Sequence, residues 1–288
     1  MDGRHTGDRL GGVAVVNITK AYLDTIAPSV TNRDLRIIHE VSRFKLMTGG
    51  QIERLFFHSY ADPTTGETIA YSDKSRARGR QAVLQRLVKG RVLARVGERR
   101  VGTSERGSAS YLYTLDVAGQ RLAQLTSTQP RRPYVHYKPH QYHYFAVAEL
   151  YVSLVEHARS GVLTLLRFDA EPYCWRTYGA NTLKPDAFIQ VGVERDGQRR
   201  KGSFFLEVDR NEEWGAKIAN KVPAYVAYYH HERTNQTPGA FPRVLIFAPI
   251  PTRISYLKKL IERRPEYRHL FQVALIDDAL AVLGGHQS

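Results

Sequence analysis

Cysteine is nearly absent from this sequence. Cys174 stands alone among 288 residues, so no internal disulfide can form and a zinc site built on cysteines is excluded. A buried spare thiol is the reading it invites. Long apolar runs are missing too, since none approaches the roughly 18 residues that span a bilayer. The basic residues Arg4 and Arg9 are followed only by the run Val13-Ala14-Val15-Val16, too short for a secretory signal. A cytoplasmic protein without membrane contact is expected. No Gly-rich loop ending in Lys-Ser or Lys-Thr occurs, which argues against a nucleotide triphosphatase, and Gly11-Gly12 and Gly49-Gly50 read as turns or caps. Eleven histidines are present, yet none forms a His-x-His pair with apolar flanks. That argues against a metal-dependent tyrosine relaxase. His136, His140 and His143 read as linker residues and His230-His231 as a helix end. Tyr225, Tyr228 and Tyr229 are read as packing residues before nucleophiles.

Negative charge is also in short supply. Acidic residues number 28 against 42 Lys and Arg, a formal net charge of +14 with a pI near 9.9. A chain so basic usually meets a polyanion. Its apolar share of 42% is ample for packed cores.

The first 30 residues read as an extension, in which Val13 to Ile18 offers an added strand. From 31 to 128 the pattern is that of a winged helix-turn-helix. Asn32 is a plausible N-cap, and the apolar positions of Arg33 to Met47 follow helical three-four spacing. Thr48 and Gln51 form a capping box for a second helix. Ser72 can cap a third, from about Asp73 to Lys89, closed by Gly90. Arg91 to Val96 and Tyr111 to Leu115 read as two strands flanking a basic, Gly- and Ser-rich tip, and a helix from Val117 to about Leu125 closes the unit. In such folds the third helix enters the major groove. Lys74, Arg76, Arg78 and Arg80 on that helix, and Arg99, Arg100 and Arg106 in the wing, are therefore the candidate contacts to double-stranded DNA. Ordinary surface solvation is the plain alternative. A homodimer is common among such binders and is left open.

Residues 129–143 read as a linker, and 144–288 as an α/β or mixed-sheet domain. Its expected helices are Tyr144–Arg159, Glu212–Tyr229 and Arg253–Glu262. Its expected strands are Val162–Phe168, Ala187–Val193, Ser203–Val208, Arg243–Ala248 and Phe271–Ile276. Here Asp186 precedes one strand, and Glu207 and Asp209 lie about 20 residues later at the end of the next. Glu207 and Asp209, two apart, share a strand face. Carboxylates converging from adjacent strands suit Mg2+ or Mn2+, with Asp186 and Glu207 as the ligands. Such a metal supports phosphodiester cleavage. Surface ion pairing with Arg210 is the plain alternative.

Pro185-Asp186 followed by Glu207-Val208-Asp209-Arg210 resembles the PD-(D/E)xK nuclease superfamily. More narrowly, the chain resembles the replication-relaxation family of plasmid and mobile-element proteins, over roughly residues 33 to 275. The resemblance implies a winged helix joined to a PD-(D/E)xK nuclease-like mixed-sheet domain, α+β or α/β in class. It implies a metal-dependent endonuclease or nickase site from Asp186, Glu207 and Asp209, with Glu171 as an upstream acidic residue beside Trp175. Lys217, Lys221, Tyr225 and Tyr229 match positions on the following helix. One departure matters, because Asp209 takes the place of the motif lysine. Either Lys217 or Lys221 reaches back to supply it, or the site is degenerate and the protein is a DNA-binding replication accessory or regulator.

Overall fold

The computed structural model describes residues 18–61, 68–69, 71–101, 110–125, 141–195, 197–209, 215–235 and 239–284. The strand expected over Val13 to Ile18 falls largely outside these residues. Ile18 itself is buried and non-helical, and Thr19 caps a helix that the pattern did not reveal, α1 (Lys20–Ile26).

The N-terminal half continues with α2 (Asn32–Phe44), β1 (Met47–Thr48), α3 (Gly49–Phe56), the short hairpin β2 (Tyr60–Ala61) and β3 (Thr68–Ile69), and α4 (Asp73–Lys89). Then come β4 (Leu93–Val101), β5 (Ser110–Leu115) and α5 (Val117–Leu125). The cap of α2 is Thr31, one residue before the expected Asn32. Thr31 wins because Asp34 stands at the third helical position and completes a capping box, accepting from the Thr31 N–H at 2.8 Å. The buried Asp34 carboxylate also receives two bonds from Arg86 at 2.7 and 2.8 Å, which locks α4 onto the start of α2. Helix α2 stops at Phe44, short of the expected Met47, because Lys45 adopts a left-handed backbone (φ 65°). Thr114 holds the Lys45 carbonyl at 2.9 Å. Arg91 is likewise left-handed (φ 55°), so the first wing strand begins at Leu93 rather than Arg91. The Thr48–Gln51 box and the Ser72 cap form as the spacing predicts. β1 lies antiparallel on β5 and β5 on β4, giving a sheet in the order β1-β5-β4 beside the helices.

The second half opens with α6 (Gln141–Arg159), followed by β6 (Thr164–Ala170), the hairpin β7 (Arg176–Tyr178) and β8 (Asn181–Leu183), β9 (Ala187–Arg195) and β10 (Gln198–Val208). It ends with α7 (Gly215–Thr234), β11 (Arg243–Ala248), α8 (Pro251–Glu262), β12 (Phe271–Leu275) and α9 (Ala279–Leu283). The main sheet has the order β12-β11-β10-β9-β6. β6, β9 and β10 run antiparallel, while β10, β11 and β12 run parallel. The chain is thus α+β, with a mixed five-stranded sheet. The strand expected from Val162 starts at Thr164, since Gly161 turns with φ 79° just before it.

Alternation along the strands sorts their side chains onto two faces. Leu206, Val208, Leu245 and Phe247 join one apolar cluster with α6 and α9. Phe205, Val244 and Ile246 join another with α7 and α8. The sheet is therefore covered on both sides. The α6-side cluster does not end with the sheet. It runs without a break into Ile37, Ile38, Val41 and Phe44 of α2, so the two halves share one core. Phe44 meets Tyr151 and Phe168 with ring centroids 4.9 and 5.8 Å apart. Polar bonds reinforce the seam, with Arg54 of α3 ion-paired to Glu149 and Glu156 of α6. Arg159 caps the end of α3 through the Arg54 and Leu55 carbonyls at 2.7 and 2.8 Å. Most of the expected linker, up to residue 140, lies outside the described residues.

Candidate active site

The sheet places two carboxylates at one end. Asp186 sits immediately before β9, and its N–H donates to the Leu206 carbonyl at 3.0 Å, continuing the β9–β10 ladder. Because β9 runs antiparallel to β10, the start of β9 faces the end of β10, where Glu207 lies. Both residues are buried, at 5% and 1% exposed.

One amine joins them. Lys221 Nζ, on α7, donates to Asp186 Oδ1 at 2.9 Å and also to Glu207 Oε2. The remaining oxygens are satisfied as well. Asp186 Oδ2 accepts from the Val208 N–H at 2.8 Å, and Glu207 Oε1 from the Tyr225 hydroxyl at 2.6 Å. Lys221 and Tyr225 are four apart on α7 and present one face to the strand end.

The environment splits the two acids. Burial raises the pKa of Asp186, but Lys221, His143 and the Val208 N–H outweigh it and hold the carboxyl well below the usual range. Burial, aided by the neighbouring Asp186 charge, pushes Glu207 up to about 8 against the pull of Lys221 and Tyr225. Lys221 loses some basicity to burial and regains more from its two carboxylates, so its pKa is raised. Burial and Glu207 also raise Tyr225, which keeps its proton for the bond it donates. Two acids of opposite protonation tendency in one polar cluster occur both at functional sites and in structural ion-pair networks.

His143 joins this group from the first turn of α6, its Nε2 3.4 Å from Asp186 Oδ1. The sequence placed it in a linker. The only signal that could have separated it from its neighbours is that the apolar helical pattern begins right after it. Lys45 enters from the opposite half of the molecule, its Nζ 2.7 Å from Glu171 Oε1 and 4.2 Å from the centre of the Tyr144 ring. Arg43, Lys45, His143, Tyr144, Glu171 and Asp186 are among the residues that line a small, partly open cleft along the seam.

Of the expected site residues, Asp186, Glu207 and Lys221 meet directly and Glu171 lines the adjoining cleft. Asp209 follows a different course, its Oδ2 accepting from Arg253 Nε of α8 at 2.6 Å. Lys217 lies on α7 one turn before Lys221, but its side chain falls outside the described residues. Cys174 is buried, with its thiol donating to the Pro185 carbonyl at 3.0 Å. Burial and the nearby carboxylates raise its pKa, which makes it a structural thiol.

On α4, Lys74 and Arg78 are exposed, whereas Arg76 pairs with Asp73 and Arg80 with Glu53 of α3 at 2.7 Å. Arg99 and Arg100 belong to β4, but their side chains, like all of Arg106, fall outside the described residues.

Among the described residues, no group of three His, Cys, Asp or Glu side chains is placed to hold a metal ion. The pair Asp186 and Glu207 nevertheless converges on one cationic nitrogen, so one point lies within reach of both carboxylates. Mg2+ keeps several waters and is commonly held by one or two carboxylates, so the donor set fits such an ion once the Lys221 amine shifts aside.

A family model described as replication-relaxation matches residues 35–244. The chain belongs to the replication-relaxation family. That membership associates it with replication and relaxation of plasmids or mobile elements. The matched span of this replication-relaxation protein contains α3, α4, α6, β6, β9, β10 and every residue of the cluster from Lys45 to Tyr225. Neither a curated protein nor a solved structure matches the chain. Among the described residues, no helix is long and apolar enough to cross a membrane.

Proposed function

We propose that this replication-relaxation protein binds double-stranded DNA through its N-terminal half and cuts a phosphodiester bond at the Asp186–Glu207–Lys221 cluster. The observation that carries the reading is the convergence of two buried carboxylates and one lysine at the end of β10. Asp209 stands where the superfamily motif has its lysine, and Lys221 supplies an amine to Asp186 and Glu207 from α7. Asp186 and Glu207 would hold Mg2+ or Mn2+, and such an ion supplies positive charge to the phosphate and an activated water. The chain's own residues do the remaining work. Tyr225 fixes the rotamer of Glu207, the Val208 N–H fixes Asp186, and Lys221 steadies charge developing on the phosphate. His143, beside Asp186, is placed to pass a proton in or out of the cleft. The net charge of +14 and the exposed Lys74 and Arg78 of α4 support the DNA-binding part.

A second reading has its own support. Lys221 already neutralises the point between the carboxylates, so the cluster is also complete as a purely structural ion triad, in a protein that binds DNA without cutting it. Incubation with supercoiled plasmid and Mg2+ or Mn2+ separates the two. Relaxed or linear product that disappears in Asp186→Ala and Glu207→Ala is expected. Intact plasmid under every metal, with DNA binding retained, refutes cleavage and leaves the accessory role.

A further inference from the structure

We propose that Lys45, a residue of the DNA-binding half, is the phosphate-gripping residue of the cleft, so that the substrate site is built across the seam. The proposal rests on the cleavage reading for its chemistry.

The argument begins with charge. Lys221 carries one positive charge and is flanked by Asp186 and Glu207. In the absence of a divalent ion, as in EDTA, a phosphodiester approaching that cluster meets little net attraction from it, and another cation is needed to bind it. The cleft beside it offers Arg43, Lys45 and His143. Arg43 is committed elsewhere, since its guanidinium binds the Phe168 carbonyl and Glu40 and lies over the rings of Phe44, Tyr151 and Phe168. His143 already faces Asp186, its Nε2 3.4 Å from Oδ1. Lys45 is a full charge on a flexible stem, partnered by the carboxylate of Glu171, which is itself 23% exposed. An incoming phosphate can take over that ammonium without burying an unpaired charge, because Glu171 is left where water reaches it.

Backbone geometry supports the same residue. Lys45 holds a left-handed conformation that lysine rarely adopts, and Thr114 of the wing strand β5 braces its carbonyl. That conformation costs about 1–2 kcal/mol, and such strain collects where a side chain must be aimed. Here it turns the chain out of α2 and carries the amine across to Tyr144 and Glu171 of the other half.

The two members of the pair should respond with opposite signs. Full-length protein is titrated against a labelled DNA duplex by fluorescence anisotropy over a salt series in EDTA. Lys45→Ala is expected to weaken binding about tenfold and to flatten the slope of log affinity against log salt by roughly 0.9, the signature of one lost phosphate contact. Lys45→Arg should restore the slope. Glu171→Gln, which removes the competing carboxylate, should tighten binding severalfold. An unchanged salt slope in Lys45→Ala overturns the proposal. So does a Glu171→Gln variant that loses affinity as Lys45→Ala does, because the pair is then a structural brace. Plasmid nicking with Mn2+ is measured in parallel, where Lys45→Ala should raise the half-saturating DNA concentration and leave the maximal rate nearly unchanged. Failure of the unmodified protein to nick refutes cleavage alone, since the salt slope still reports on Lys45.

Discussion

Replacing Lys221 by alanine isolates the electrostatics of the strand-end cluster. The amine donates to Asp186 and Glu207, both buried, and its removal leaves two carboxylates facing each other without a cation. Breaking a buried ion pair typically costs about 3–5 kcal/mol. The loss should fall near the lower end. Asp186 keeps the Val208 N–H and His143, Glu207 keeps the Tyr225 hydroxyl, and Glu207 relieves the repulsion further by holding a proton. For a chain of this size each kcal/mol moves the melting temperature by about 2–4 °C, so a fall of about 10 °C is expected in EDTA. Differential scanning calorimetry measures it directly. The same experiment with added Mn2+ probes the metal reading, because an ion at a hundred times its Kd returns about 2.7 kcal/mol through mass action. Lys221→Met placed in an Asp186→Asn, Glu207→Gln background should cost far less, since no buried charge is stranded. A Lys221→Ala protein that melts within about one degree of the parent would refute the reasoning, because the amine would then contribute nothing to the cluster whose charge it balances.

Three further outcomes follow from the same structure. Glu207 has a folded-state pKa of about 8 against an ordinary 4.5, so the folded protein keeps a proton that the unfolded chain has released. That stabilisation is fully present below about pH 4.5 and is lost as pH rises through 8. Melting temperatures in EDTA should therefore fall between about pH 5 and pH 8, and Glu207→Gln should flatten the decline. On α4, replacing exposed Lys74 and Arg78 by alanine should lower the salt slope of DNA binding by roughly 1.8, whereas Arg80→Ala should mainly reduce stability by loosening α4 from Glu53 of α3. Phe44→Ala should cost about 3–5 kcal/mol. It should shift one calorimetric transition downward rather than split it, because Phe44 packs on Tyr151 and Phe168 across the seam.

Local rules carried the reading furthest where one segment decides the outcome. The Thr48–Gln51 box, the Ser72 cap and the stop at Gly90 are all settled within four residues of the chain, and all form as the spacing predicts. Thr31 and not Asn32 caps α2, because Thr31 and Asp34 carry the better signal, a hydroxyl with an acid three residues on. On α7, helical periodicity puts Lys217 and Lys221 on one face, so spacing alone could not choose which reaches the strand end. Asp209 looked like a partner of Glu207 because alternation puts both on one face. The regular strand ends at Val208, and the competing charge, Arg253, comes from a helix 44 residues onward. His143 and Lys45 were invisible as site residues for a similar reason. Each is 40 or more residues from Asp186 in sequence, and only the packing of α2 and α6 onto the sheet brings them to the cleft.

Helix α6 ties the two halves of the chain to each other. It packs on α3 and β1 along one flank and on β6, β10 and α9 along the other, and its first turn carries His143. A recombination event that exchanged only the part before α6 would strand Glu149 and Glu156 without Arg54, and would remove Lys45 from Glu171. Exchange of one half without the other is therefore expected to cost stability along both flanks of α6. A chimera joined within α6 should fold only when both parents agree in the residues along its two flanks.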